Sequence, residues 1–82
     1  MKIFRTIAKA TKEGQFNKED VVNYFLVELE NGQFYFIEKF PEFTEPITRT
    51  ALPTIKDGFR FFFDTILNDK IAGSTFKDIE IA

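Results

Sequence analysis

Between residues 28 and 36 the chain reads ELENGQFYF, and the Asn31-Gly32 pair at its centre restricts the fold more than any other stretch. Both residue types accept a positive φ, so between two β-rich runs the pair predicts a two-residue type I′ hairpin. A loop of that length sets the register, placing Leu29 opposite Phe34, Val27 opposite Phe36 and Phe25 opposite Glu38 on one face. The other face then pairs Glu28 with Tyr35, Leu26 with Ile37 and Tyr24 with Lys39. The first face is nearly all hydrocarbon and is expected to be the core face. The second is mixed, with Tyr24, Leu26, Tyr35 and Ile37 set among charges.

Further strands are expected on either side. KIFRTIAKAT, residues 2–11, predicts a strand with Ile3 and Ile7 on one face and Phe4, Thr6 and Ala8 on the other, ended by Glu13-Gly14. QFNKED, residues 15–20, reads as a polar loop that Phe16 pins to the body. Pro41 closes the third strand, and PEFTEP forms a turn region between two prolines. ITRTAL (47–52) alternates as a short strand, and STFKDIEIA (74–82) as a last one with Ile79 and Ile81 on one face.

GFRFFFDTIL, residues 58–67, predicts a helix. Thr54 followed by Asp57, just after Pro53, has the spacing of a capping box, and Gly73 supplies a stop. At about 100° per residue, Ile55, Phe59, Phe62, Phe63, Ile66 and Leu67 form one apolar stripe. Phe61 falls roughly opposite Phe59, beside Asp57, Asp64 and Asn68, and is expected outside the core. The expected fold is therefore α+β: a small, mainly antiparallel sheet of four to five strands with one amphipathic helix on one face, in the order β-β-β-β-α-β. The 82 residues leave no room for a second core, so 1–82 reads as one compact domain. The order of elements resembles that of small single-strand-binding folds built as a curved sheet plus one helix, although no motif of such a fold stands in the chain.

Composition narrows the chemistry. The chain has no Cys, no His and one serine, Ser74, so neither a thiolate zinc site nor a Ser–His or Cys–His nucleophile can be assembled. Its four glycines are scattered and build no phosphate loop. Asp57 and Asp64 lie two helical turns apart, about 10 Å, which is too far to share an ion. No enzyme activity and no cofactor are expected. Neither a cleavable leader nor a run of about 18 apolar residues is visible, so the expectation is a cytoplasmic protein with no membrane partner.

The net charge of −2 argues against nucleic acid as a bulk electrostatic partner. Residues 1–12 nevertheless carry Lys2, Arg5, Lys9 and Lys12 with no acid, and a basic strand lying beside acidic ones explains this without a binding role.

One helix can cover only one face of a small sheet. The mixed face is then expected to meet a protein partner, most simply a second copy of the chain. The expected interface is Tyr24, Leu26, Tyr35, Ile37 and Lys39, with Phe61 as a separate exposed aromatic. A non-enzymatic, self-associating binding module is the leading expectation. The alternatives are a single-stranded nucleic-acid binder, stacking bases on Tyr24 and Tyr35 beside Lys39 and the basic strand, and a small acidic inhibitor of the kind mobile elements encode.

Overall fold

The structure, a computed structural model, describes residues 2–46 and 48–82. Five strands and one helix follow in order: β1 (Ile3–Lys12), β2 (Val22–Leu29), β3 (Phe34–Lys39), β4 (Thr48–Leu52), α1 (Ile55–Ile71) and β5 (Phe76–Ile81). All pairings are antiparallel, and the spatial order is β4-β3-β2-β1-β5. The α+β architecture and its element order are those expected. Ile47, the first residue of the stretch read as the fourth strand, lies outside the described residues.

The central hairpin forms, but its register differs from the expected one. Leu29 N–H donates to the Gln33 carbonyl at 2.8 Å, and Gly32 N–H donates to the Leu29 carbonyl at 2.9 Å. The loop is thus Glu30-Asn31-Gly32. Gly32 alone in it has a positive φ, 83°, whereas a type I′ turn also needs one at Asn31. Asn31 instead accepts the Gln33 N–H on its side-chain oxygen at 3.0 Å, a local bond that asparagine offers readily in turns. Three loop residues instead of two shift every pair by one, so Leu26 faces Phe36, Tyr24 faces Glu38 and Val27 faces Tyr35. Such a slip exchanges the two faces of the paired strand.

The helix-covered face therefore carries Tyr24, Leu26, Glu28, Phe34, Phe36 and Glu38. Leu26, Phe36 and Phe62 have no exposed surface, and they form the centre of the core with Tyr24, Ala8, Ala10, Ile7, Val22 and Ile66. β1 joins through two irregularities, between Ile3 and Arg5 and between Thr6 and Ala8. These break the simple alternation expected for this strand. Ile3 and Thr6 pair with Leu29 and Val27 on the open face, while Ala8 and Ala10 pair with Leu26 and Tyr24 under the helix.

The helix is entered and left as its residues dictate. Thr54 accepts the Asp57 N–H at 3.1 Å and donates its hydroxyl proton to the Asp57 carboxylate at 2.9 Å. Ala72 caps the C-terminus, and Gly73 follows at φ 100°, a conformation that only glycine adopts at little cost. Its phase is rotated from the expected one. The buried positions are Gly58, Phe62 and Ile66, with Phe59 packed on the edge of the core. Gly58 decides this phase, because it lets the helix backbone settle onto Leu26. Ile55, Phe63 and Leu67, expected in the core, are instead exposed. Phe61 stays outside the core and exposed, although its ring meets Phe36 edge-on at 5.0 Å.

Phe16 does not pin the first loop, being almost fully exposed. The loop is held by its own backbone, which folds over Gly14 so closely that a Cβ there would stand 2.0 Å from the Asn17 carbonyl oxygen. No helix among the described residues is long and apolar enough to cross a membrane.

Candidate interaction surface

The register separates the residues expected to share one interface. Tyr24 and Leu26 lie beneath the helix and are buried, so neither can meet a partner. Tyr35, Ile37 and Lys39 stay on the open face, and Phe61 stands on the helix side. The expected patch of Tyr24, Leu26, Tyr35 and Ile37 is thus divided between the two sides of the sheet.

Tyr24 has a structural role in its new place. Its hydroxyl donates to Asp69 of α1 at 2.5 Å and accepts from Lys12 Nζ at 2.6 Å, while Lys12 also reaches Asp69 at 3.2 Å. The group ties the last turns of the helix to β1 and β2. Burial, then the hydrogen bond to Asp69 and the charges of Asp69 and Glu38, push the Tyr24 phenol well above its ordinary range. Glu38, opposite Tyr24 on β3, also has its carboxyl raised, chiefly by burial and further by Asp69, with Lys12 acting in the opposite sense. Every buried side-chain nitrogen and oxygen among the described residues has a partner. The group reads as a satisfied polar clasp.

On β1 to β4 the open face holds Asn23, Phe25, Val27, Leu29, Tyr35, Ile37, Lys39, Arg49, Ala51, Ile3, Thr6, Lys9 and Thr11. Glu28 has moved to the helix side, where Glu38 already was, so this face contains no acid until β5 adds Asp78 and Glu80. No layer covers it, yet Val27 and Ile37 are only 1% and 2% exposed. Their neighbours Phe25, Tyr35, Lys9, Lys39 and Arg49 are large enough to close over them, as amphipathic side chains do. Lys9 Nζ stands 5.8 Å above the Phe25 ring in this way.

Exposed hydrocarbon gathers on the helix side. The helix packs on β3, β2 and β4, and Phe61 leans toward β3 through Phe36. The opposite flank of α1 therefore looks toward β1 and β5. Along it run Phe59, Phe63, Leu67 and Ile71 at intervals of four, which is one ridge of a helix. Phe59 and Phe63 stack at 6.1 Å, and exposure rises from 45% at Phe63 through 56% at Leu67 to 76% at Ile71.

β5 supplies the facing wall. Ile81 pairs with Ala8, which pairs with Leu26, and Ile79 pairs with Ala10, which pairs with Tyr24. These two rows run from beneath the helix to the sheet edge and end in two exposed isoleucines on the helix side. Between ridge and edge strand lie the small, buried Ala8 and Ala10, and Phe76 at the start of β5 packs against Tyr24 at 6.1 Å.

Charged groups within the sector of the ridge are of one sign. At about 100° per residue, Lys70, Phe63, Lys56, Leu67, Arg60 and Ile71 fill one continuous sector of about 100°, and Asp57 and Asp64 begin only beyond it. The three bases are exposed, and no ion pair among the described residues engages them.

The ridge was visible in the sequence as Ile55, Phe59, Phe63, Leu67 and Ile71 at four-residue steps. Its exposure was not, because the same pattern suits a core stripe equally well. Among the described residues no group of three His, Cys, Asp or Glu side chains is placed to hold a metal ion. Comparison with protein-family models, with curated proteins and with solved structures returns no match.

Proposed function

We propose that the protein is a non-enzymatic binding module acting through protein–protein contact, and that the contact face is the flank of α1 together with β5. The observation that carries this reading is the exposed ridge of Phe63, Leu67 and Ile71 running beside the exposed Ile79 and Ile81. Single exposed hydrophobes need no explanation, but a contiguous set edged by charge is the usual composition of a docking surface. Selection of random displayed peptides against the intact protein, in parallel with a Phe63→Ser/Leu67→Ser variant, tests it. The reading expects peptides that bind the parent chain and not the variant. Enrichment that survives the double substitution would overturn it.

A second reading is supported by the open sheet face. Aromatic Phe25 and Tyr35 beside Lys9, Lys39 and Arg49, with no acid on four strands, is a composition suited to stacking and neutralising a single-stranded nucleic acid. Fluorescence anisotropy with short single strands at two salt concentrations decides it. Salt-sensitive binding lost in Phe25→Ala and Tyr35→Ala would favour this face over the helix flank.

A further inference from the structure

The protein-contact reading leaves the chemistry of the occupant open. We infer that the α1–β5 face takes an acidic amphipathic helix of a partner protein, an inference that rests on that reading and adds the partner's shape and charge.

Shape comes from the two walls. The ridge of Phe63 and Leu67 on one side and Ile79 and Ile81 on the other are both straight, because one follows a helix and the other a strand. A rod with an apolar stripe can lie along such a valley, as amphipathic helices do in grooves. The two walls share rows of the sheet: the row through Ile81 leads to Leu26, on which Gly58 rests, and the row through Ile79 leads to Tyr24, whose hydroxyl reaches Asp69.

Charge comes from the sector of α1 that forms the ridge. Lys56, Arg60 and Lys70 alternate there with Phe63, Leu67 and Ile71, and the acids Asp57, which holds the Thr54 cap, and Asp64 lie beyond it. A partner with glutamates flanking its apolar stripe would meet these three bases at the rim, where complementary charge governs on-rate and discrimination.

A second copy of this chain fits poorly. A two-fold contact lays the same patch against itself, so lysines and arginine would face their own kind across the seam. An anionic membrane also fits less well, since the chain as a whole is net negative.

The test uses the intact protein and two synthetic amphipathic peptides with the same leucine stripe, one flanked by glutamate and one by lysine. Binding is followed by fluorescence anisotropy at low and high salt, and the site by amide chemical shifts. The glutamate peptide is expected to bind more weakly as salt rises, to move the amides of Phe63, Leu67, Ile71, Ile79 and Ile81, and to lose about tenfold in affinity with Arg60→Glu. Leu67→Ser should abolish binding with unchanged thermal stability, since that side chain is mostly in solvent. Equal or tighter binding of the lysine peptide, no binding of either, or shifts confined to another face would overturn the inference. So would a dimer in light scattering that Leu67→Ser dissociates, or capture by phosphatidylserine vesicles in place of the peptide. Ridge-dependent display peptides with no acidic bias would leave the protein-contact reading standing and remove this one alone.

Discussion

Gly58 of α1 rests on Leu26 of β2 so closely that a methyl group on the glycine would stand 2.7 Å from Leu26 Cδ1. Leu26 is fully buried and cannot swing away without disturbing its neighbours. Helix propensity favours Gly→Ala by roughly 1 kcal/mol, whereas overfilling a packed core costs about 1–3 kcal/mol. Gly58→Ala should therefore lower stability by about 1 kcal/mol, and Gly58→Val by more. Urea melts that show Gly58→Ala to be stabilising would mean the helix does not sit at this distance.

The rotated helix phase separates two neighbouring phenylalanines. Phe62 is in the centre of the core, so Phe62→Ala should cost about 3–5 kcal/mol and leave little folded protein. Phe63→Ser should cost less than about 1 kcal/mol, because its ring lies on the exposed ridge. Phe61→Ser should fall between them, losing the edge contact with Phe36. Circular dichroism melts of the three variants measure the phase directly.

The loop chemistry distinguishes its two central residues. Gly32→Val forces a β-branched residue to φ 83° and should destabilise by about 1–3 kcal/mol. Asn31→Ala should cost under about 1 kcal/mol, because it removes two exposed hydrogen bonds, both to Gln33, and no positive-φ residue. Comparable losses at both positions would indicate a two-residue turn and the opposite assignment of faces.

Tyr24 makes stability fall at high pH. Its phenol holds its proton in the folded state at pH values where the unfolded chain, near the ordinary value of 10.0, has released it. The folded form then binds more protons than the unfolded form, so stability declines as pH rises above that value. Unfolding followed through the alkaline range should show a shallower decline in Tyr24→Phe. That variant also loses the clasp to Asp69 and should be less stable at neutral pH.

Glu38 titrates with the same sign in the acid range. Its carboxyl is raised in the folded state, chiefly by burial. The cost of ionising it is absent below the ordinary glutamate range and appears as pH climbs from there through the raised folded value. Glu38→Gln is expected to be more stable than the parent at neutral pH and no more stable in acid. Denaturant midpoints at the two pH values check both halves.

Local order in this protein is written in local residues. The hairpin at Asn31-Gly32, the Thr54–Asp57 cap, the stop at Gly73 and the sequence of strands around one helix all depend on groups within a few positions of one another. Backbone torsion preferences and short-range hydrogen bonds decide them, and these can be read without knowing what packs above.

Which side of each element faces inward was decided only in three dimensions. β2 and β3 carry apolar residues on both faces, so alternation could not choose between registers, and one extra loop residue moved Tyr24 and Leu26 from the expected interface into the core. In α1, Phe59 to Phe63 offers a ring to almost any phase. The missing side chain of Gly58 selected the one in which the helix seats on Leu26. The physical reason is the same in both places: the hydrophobic effect is non-directional and rewards burial of any of these rings. Close packing against particular neighbours must break the tie, and it left Phe63, Leu67 and Ile71 outside.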